Sequence, residues 1–206
     1  VEVSRFHGVK GEKGRKLKRK DSLLALYNSK EFRDNVEEIT FDINKVVNEL
    51  NKEENDGLKL RSEKLYLYFL QLGRCMYSGE EIDINDLFNK NEYDIDHIIP
   101  QSIIKDDSIN NKVLVKKIYN ENKKEEYPIA TAFPDWCHKQ EKFWRTLYKM
   151  KLMSKSKLDR LIRKTPLTED ELGQFIARQL VETNQSAKCV VDLLSAYLDN
   201  QRSVVL

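Results

Sequence analysis

Two carboxylates and an imidazole stand within four consecutive positions at Asp94-Ile95-Asp96-His97. Further polar residues follow close behind, in Asn110-Asn111 and in Asn120-Glu121-Asn122-Lys123. Together these types suit hydrolysis of a phosphodiester. Such a reaction needs a base to take a proton from water and a cation to stabilise charge on the phosphoryl and leaving oxygens. It also needs a scaffold that holds the strand in line. Neutral His97 has the right ordinary titration range for the base. Carboxylate and amide oxygens are hard donors, so Asp96 and Asn120 suit Mg²⁺, with Mn²⁺ as a substitute. Two protein ligands leave room for the water and phosphate that Mg²⁺ prefers to keep.

These residues must be positioned by local structure. Tyr93 to Ile99 alternates with period two and reads as a strand ended by Pro100. That period sends Asp94 and Asp96 to one face and His97 to the other. Lys112-Val113-Leu114-Val115 reads as a second short strand, so a small antiparallel hairpin is expected. Lys116 to Glu126 reads as a short polar helix stopped before Pro128. This strand–loop–strand–helix order brings an Asn back towards the acids and the imidazole.

The rest of the chain reads as helical. Leu23, Leu24, Leu26 and Tyr27 repeat at three and four, and a second amphipathic run carries Val36, Ile39, Ile43, Val46, Val47 and Leu50. Ser62 to Leu72 is apolar enough for burial, with Ser62 able to cap it and Gly73 to stop it. Asp135–Met150, Ser156–Ile162, a helix opened by the Thr168-x-x-Glu171 capping box and Ser186–Tyr197 complete the series. The expected class is α+β, predominantly helical.

Composition narrows the function classes. Hydrophobic residues make up 40% and charged residues 34% of 206, which describes a globular chain with a wet surface. No apolar run approaches the roughly 18 residues needed to span a bilayer, and no leader-like segment opens the sequence, so a cytoplasmic protein without membrane partners is expected. Cys75, Cys137 and Cys189 are far apart and form no C-x-x-C pair, which argues against a zinc knuckle and for reduced thiols. The net charge of +2 is small, but basic residues gather over Arg5–Lys20 and Lys142–Lys164. That segregation fits one phosphate-facing surface, or equally well solvated helix faces. His7 and His138 read as surface or boundary residues. Trp136, Phe143, Trp144, Leu147 and Tyr148 recur at helical spacing and read as core.

The run Asp94-Ile-Asp-His-Ile-Ile-Pro-Gln-Ser, followed by Lys105-Asp-Asp-Ser-Ile-Asn-Asn-Lys-Val-Leu, resembles the HNH nuclease domain of type II CRISPR RNA-guided endonucleases. Glu63 to Tyr77 is similar to the segment preceding the site in that family, and Arg178-Gln-Leu-Val-Glu-Thr to the return into its RuvC domain. Val1-Glu2-Val3 resembles the end of a RuvC segment. The resemblance implies a ββα-metal core, with His97 as general base and Asp96 and Asn120 as metal ligands. It gives Asp94 a supporting role, Asn111 the task of holding the loop, and Lys123 a place near the phosphate. Asn122 competes with Asn120 by proximity, although the Asn-x-x-Lys spacing to Lys123 fits the family at Asn120.

On this reading, residues 1–20 are a RuvC edge and basic linker, 21–165 the HNH nuclease domain, and 166–206 a linker with helices returning to RuvC. The implied partners are target-strand DNA paired with guide RNA, the guide RNA itself, and the RuvC and recognition domains of a bacterial, monomeric parent. Two other readings stand beside it: a free-standing HNH endonuclease, and a non-catalytic nucleic-acid-binding module that keeps the fold.

Overall fold

The computed structural model describes residues 19–52, 59–89 and 91–178, together with Leu180, Val181, Gln185 and Lys188. The basic opening segment as far as Lys18, with His7, and the Ser186–Tyr197 pattern with Cys189, lie outside the described residues except for Lys188. The fold separates into two compact units. The larger takes in the chain up to Gln101 and Asp106–Pro166, and the smaller takes in Ser102–Lys105 and the chain from Leu167 onward.

The larger unit is built around helix α4 (Glu63–Leu70), whose residues from Leu65 to Leu70 are all buried. A helix apolar on every side must lie inside other elements. Helices α1 (Arg19–Tyr27), α2 (Lys30–Asn35) and α3 (Asn44–Asn51) supply part of that cover. The Tyr27 hydroxyl donates to Phe69 O at 2.7 Å, and its ring stacks on Phe32. Ser29 caps α2 by accepting from Phe32 N–H. Past α4 the chain reverses through Leu72 and Gly73, both at positive φ. A Cβ on Gly73 would lie 3.0 Å from Val46 Cγ2 and 3.1 Å from the Tyr68 hydroxyl, so glycine is required both for the conformation and for the space.

The amphipathic run from Val36 to Leu50 is interrupted rather than continuous. Val36–Glu38 forms a single 3₁₀ turn, and α3 begins only at Asn44. Asp42 Oδ1 accepts from Asn44 N–H at 2.8 Å, a local side-chain bond that competes with helix through Asp42. Short α5 (Asp86–Asn89) and α7 (Ile129–Ala132) have no counterpart in the sequence reading.

Strands β1 (Tyr93–His97) and β2 (Lys112–Lys116) pair antiparallel, with Asp96 opposite Val113 and His97 opposite Lys112. Residues Lys112 to Val115 of β2 are all buried. Gln71, at the end of α4, grips this strand by exchanging two 2.8 Å bonds with the Leu114 backbone. Helix α6 (Lys117–Lys123) follows directly. Helix α8 (Pro134–Lys149) buries Trp144, whose indole donates to Met76 O, and α9 (Lys155–Ile162), capped by Ser154, begins one residue earlier than its apolar pattern predicts.

In the smaller unit, residues 169–178 are helical. Thr168 N–H donates to Glu171 Oε2 and Glu171 N–H to Thr168 Oγ1, the reciprocal capping box expected from the sequence. No helix among the described residues is long and apolar enough to cross a membrane.

Candidate active site

Period two in β1 has the predicted consequence. Asp94 and Asp96 both meet α6, and the His97 side chain meets a different set of neighbours. Asn120 Nδ2 donates to Asp94 Oδ2 at 3.3 Å. One turn further along α6, Lys123 Nζ lies 2.8 Å from Asp96 Oδ2. Asn120 and Lys123 share a helix face because they are three residues apart. Asn122 falls on another face and is exposed, so Asn120 is the asparagine that α6 presents to the strand.

Asp96 is buried, and its second partner is the Tyr77 hydroxyl, which also donates to Oδ2. Burial first, and then the neighbouring Asp96, push the Tyr77 hydroxyl well above its ordinary range and keep it a proton donor. Lys123 departs from its expected place near a phosphate. Its side chain is fully buried, and its ammonium donates both to Asp96 and to His97 O, the latter at 2.7 Å. A charge so placed aligns the acid and the strand end.

The His97 imidazole is partly exposed. Its Nε2 lies 2.9 Å from Asp107 Oδ1 and 3.0 Å from the Gln101 amide nitrogen. Asp107 is in turn paired with Lys112, the cross-strand neighbour of His97, at 2.9 Å, and Lys112 with Glu63 at 2.9 Å. The Lys112 hydrogen bond, followed by that of His97, holds the Asp107 carboxyl below its ordinary range.

Asn111 closes the loop between the strands. It is fully buried, and its amide oxygen accepts from Ile99 N–H while its amide nitrogen donates to Ile99 O and Asp106 O. Its own carbonyl accepts from Ile98 N–H at 2.7 Å. Helix α9 braces the same loop through three contacts. Arg160 pairs with Asp106 at 2.7 Å, Lys157 Nζ donates to Ile109 O, and Ser154 Oγ donates to Asn110 Oδ1. Burial, followed by the Arg160 charge, pushes the Lys157 ammonium down to about 7.

Tyr77, Gln101, Asp107, Lys112 and Arg160 went unmarked as site residues in the sequence. Gln101 and Asp107 lie inside the motif run itself and could have been marked there. Tyr77 and Arg160 reach the site only through the tertiary fold.

The oxygen donors gathered here are the carboxylates of Asp94 and Asp96 and the amide of Asn120. Among the described residues, no three of His, Cys, Asp and Glu converge on one point. Tyr77 and Lys123 both engage Oδ2 of Asp96. A sparse set of hard oxygens fits Mg²⁺, which retains several waters, better than a tightly caged metal.

Residues 75–129, which contain the hairpin, its loop and α6, match the HNH endonuclease family. Over 147 residues the chain is 44% identical to the CRISPR-associated endonuclease Cas9 of Listeria innocua serovar 6a, a match covering 70% of this chain. It is 43% identical over 141 residues, or 68% of the chain, to the Cas9 of Streptococcus mutans serotype c. It is 34% identical over 142 residues, or 66% of the chain, to that of Staphylococcus aureus. The matched region spans 10% of the length of the first two relatives and 14% of the third.

Proposed function

We propose, on the premise that this chain belongs to the HNH endonucleases in the form found in type II CRISPR effectors, that it hydrolyses a phosphodiester of the DNA strand paired with guide RNA. The observation that carries this reading is the convergence on one hairpin and one helix of Asp94, Asp96 and Asn120, with the His97 imidazole beside them at the strand end.

In this reading His97 accepts a proton from water as the water oxygen bonds to phosphorus and the bond to the leaving oxygen breaks. Asp96 and Asn120 are the residues that would hold Mg²⁺, with Asp94 orienting the Asn120 amide. When bound, the ion supplies charge stabilisation at the phosphoryl and leaving oxygens. Lys123 and Tyr77 keep Asp96 in one rotamer. Asn111 holds the turn after His97, so the imidazole does not drift with the loop.

Because the chain spans about a tenth of its longer relatives, strand choice is assigned to the parent protein. There, base pairing with guide RNA would select the DNA and the remaining domains, RuvC among them, would present it. The test is single-turnover DNA cleavage with Mg²⁺ by the chain alone and within its parent assembly, comparing wild type with His97→Ala. The expected loss is about 10²–10⁴-fold, with the thermal midpoint unchanged. Cleavage by the variant at the wild-type rate would remove His97 from the role of base.

A further inference from the structure

The two neighbours of His97 Nε2 make opposite demands on it. The Asp107 carboxylate, 2.9 Å away, can only accept a hydrogen bond. The Gln101 amide nitrogen, 3.0 Å away, can only donate one. A single ring nitrogen of a neutral imidazole cannot answer both. If Nε2 carries the hydrogen it donates to Asp107, and Nδ1 holds the lone pair. If Nε2 holds the lone pair it accepts from Gln101, and the hydrogen sits on Nδ1.

We infer that Asp107 is a positioning residue for strand cleavage: it holds His97 in the Nε2–H tautomer and leaves Nδ1 as the atom that takes the proton from water. This rests on the reading of His97 as general base. Three observations favour Asp107 over Gln101 as the neighbour that decides. A hydrogen bond to a charged acceptor is roughly twice as strong as a neutral one. The carboxylate is also fixed from behind, because Lys112, with only 7% of its side chain exposed, lies 2.9 Å from the same Oδ1. Lys112 is the cross-strand partner of His97, so the hairpin that sets the imidazole also sets the cation that anchors Asp107.

The third observation is that Gln101 has an outlet. Its amide nitrogen also lies 3.4 Å from Asp107 Oδ1, so it can donate there when Nε2 is protonated. The neighbouring Asp106 is pinned by Arg160 at 2.7 Å and accepts from Ser108 N–H at 2.9 Å, which fixes the backbone on both sides of Asp107. Serine-protease triads use the same logic: losing the carboxylate that sets the tautomer leaves the geometry in place and still costs rate.

The test combines ring ¹⁵N shifts of His97 with single-turnover cleavage in the presence of Mg²⁺. Spectra are taken at about pH 8, above the ordinary imidazole range. Wild type should show a protonated Nε2. Asp107→Ala should move the hydrogen towards Nδ1 and lower the cleavage rate by at least about tenfold, with DNA affinity unchanged. Adding Gln101→Leu to Asp107→Ala should return the hydrogen towards Nε2 and recover part of the rate. If Asp107→Ala fails to fold, Asp107→Asn serves, since an amide can turn its donor to Nε2. An unchanged tautomer in the variant, or a changed tautomer with an unchanged rate, overturns the inference. Failure of the underlying reading has a separate signature, because full cleavage by His97→Ala would remove the base while leaving the tautomer measurement intact.

Discussion

Lys123→Met is the sharpest probe of how the candidate site is held. Lys123 is fully buried, and its ammonium serves two acceptors: Asp96 Oδ2 at 2.8 Å and His97 O at 2.7 Å. Methionine nearly preserves the volume of the stem, so the cavity contribution is small. The loss is therefore electrostatic. Asp96, itself only 7% exposed, would keep the Tyr77 hydroxyl as partner but lose its counter-charge. Removing one member of a buried ion pair costs about 3–5 kcal/mol. The stranded His97 carbonyl lies within that figure rather than on top of it, since both bonds belong to one group. Against a typical domain stability of about 5–15 kcal/mol, the variant should show a clearly lower urea midpoint at an unchanged m-value. A double-mutant cycle isolates the pair: Asp96→Asn with Lys123→Met should cost less than the sum of the two single changes, because the second change removes the charge stranded by the first. A Lys123→Met loss within about 0.5 kcal/mol, or strict additivity in the cycle, would show that the pair does not organise the site.

Two further outcomes follow from the loop and its brace. Lys157 titrates near 7 in the fold against 10.5 ordinarily, so between those values the unfolded chain binds more protons and stability rises with pH. The burial penalty is fully present below the folded value, so Lys157→Met should gain most relative to wild type at about pH 6 and lose that advantage progressively as pH rises from about 7 towards 10.5, as read by urea unfolding at each pH. A pH-independent difference would mean that Lys157 does not titrate in this range. Asn111→Ala removes the partners of Ile99 N–H, Ile99 O and Asp106 O in a fully buried position and should cost about 2–4 kcal/mol in thermal or urea unfolding. A loss under about 1 kcal/mol would show that the loop holds itself.

What could be read from the sequence divides along a physical line. Local periodicity was enough for β1, β2, α6 and the face shared by Asp94 and Asp96, because a strand of period two meeting a helix leaves few arrangements. It left Asn120 and Asn122 open, and only the family spacing to Lys123 favoured Asn120; the structure presents Asn120 to the strand and leaves Asn122 exposed. Short α5 and α7 escaped notice because four residues hold too little periodicity to register. The Val36–Leu50 run misled for a related reason: its apolar spacing persists through residues whose backbone is redirected at Asp42 by a side-chain bond that hydropathy does not record.

The fate of the charged residues was the least accessible part. Lys123 and Lys157 stand in polar helical stretches that read as solvated, and both are buried. A lysine enters the interior only where acceptors already wait. For Lys123 these are Asp96 and the His97 carbonyl, and for Lys157 the Ile109 carbonyl. All of those acceptors belong to the hairpin and its loop, distant in sequence from the lysine each receives. The same holds for Arg160, whose partner Asp106 adjoins the Asp107 that meets His97. Lys123, Lys157 and Arg160 therefore mark the places where helices grip the His97 strand end and its loop. That gives a reason for their burial despite its cost: each one exchanges desolvation for a fixed relation between a helix and the candidate base, which an apolar side chain of the same size could fill but could not orient.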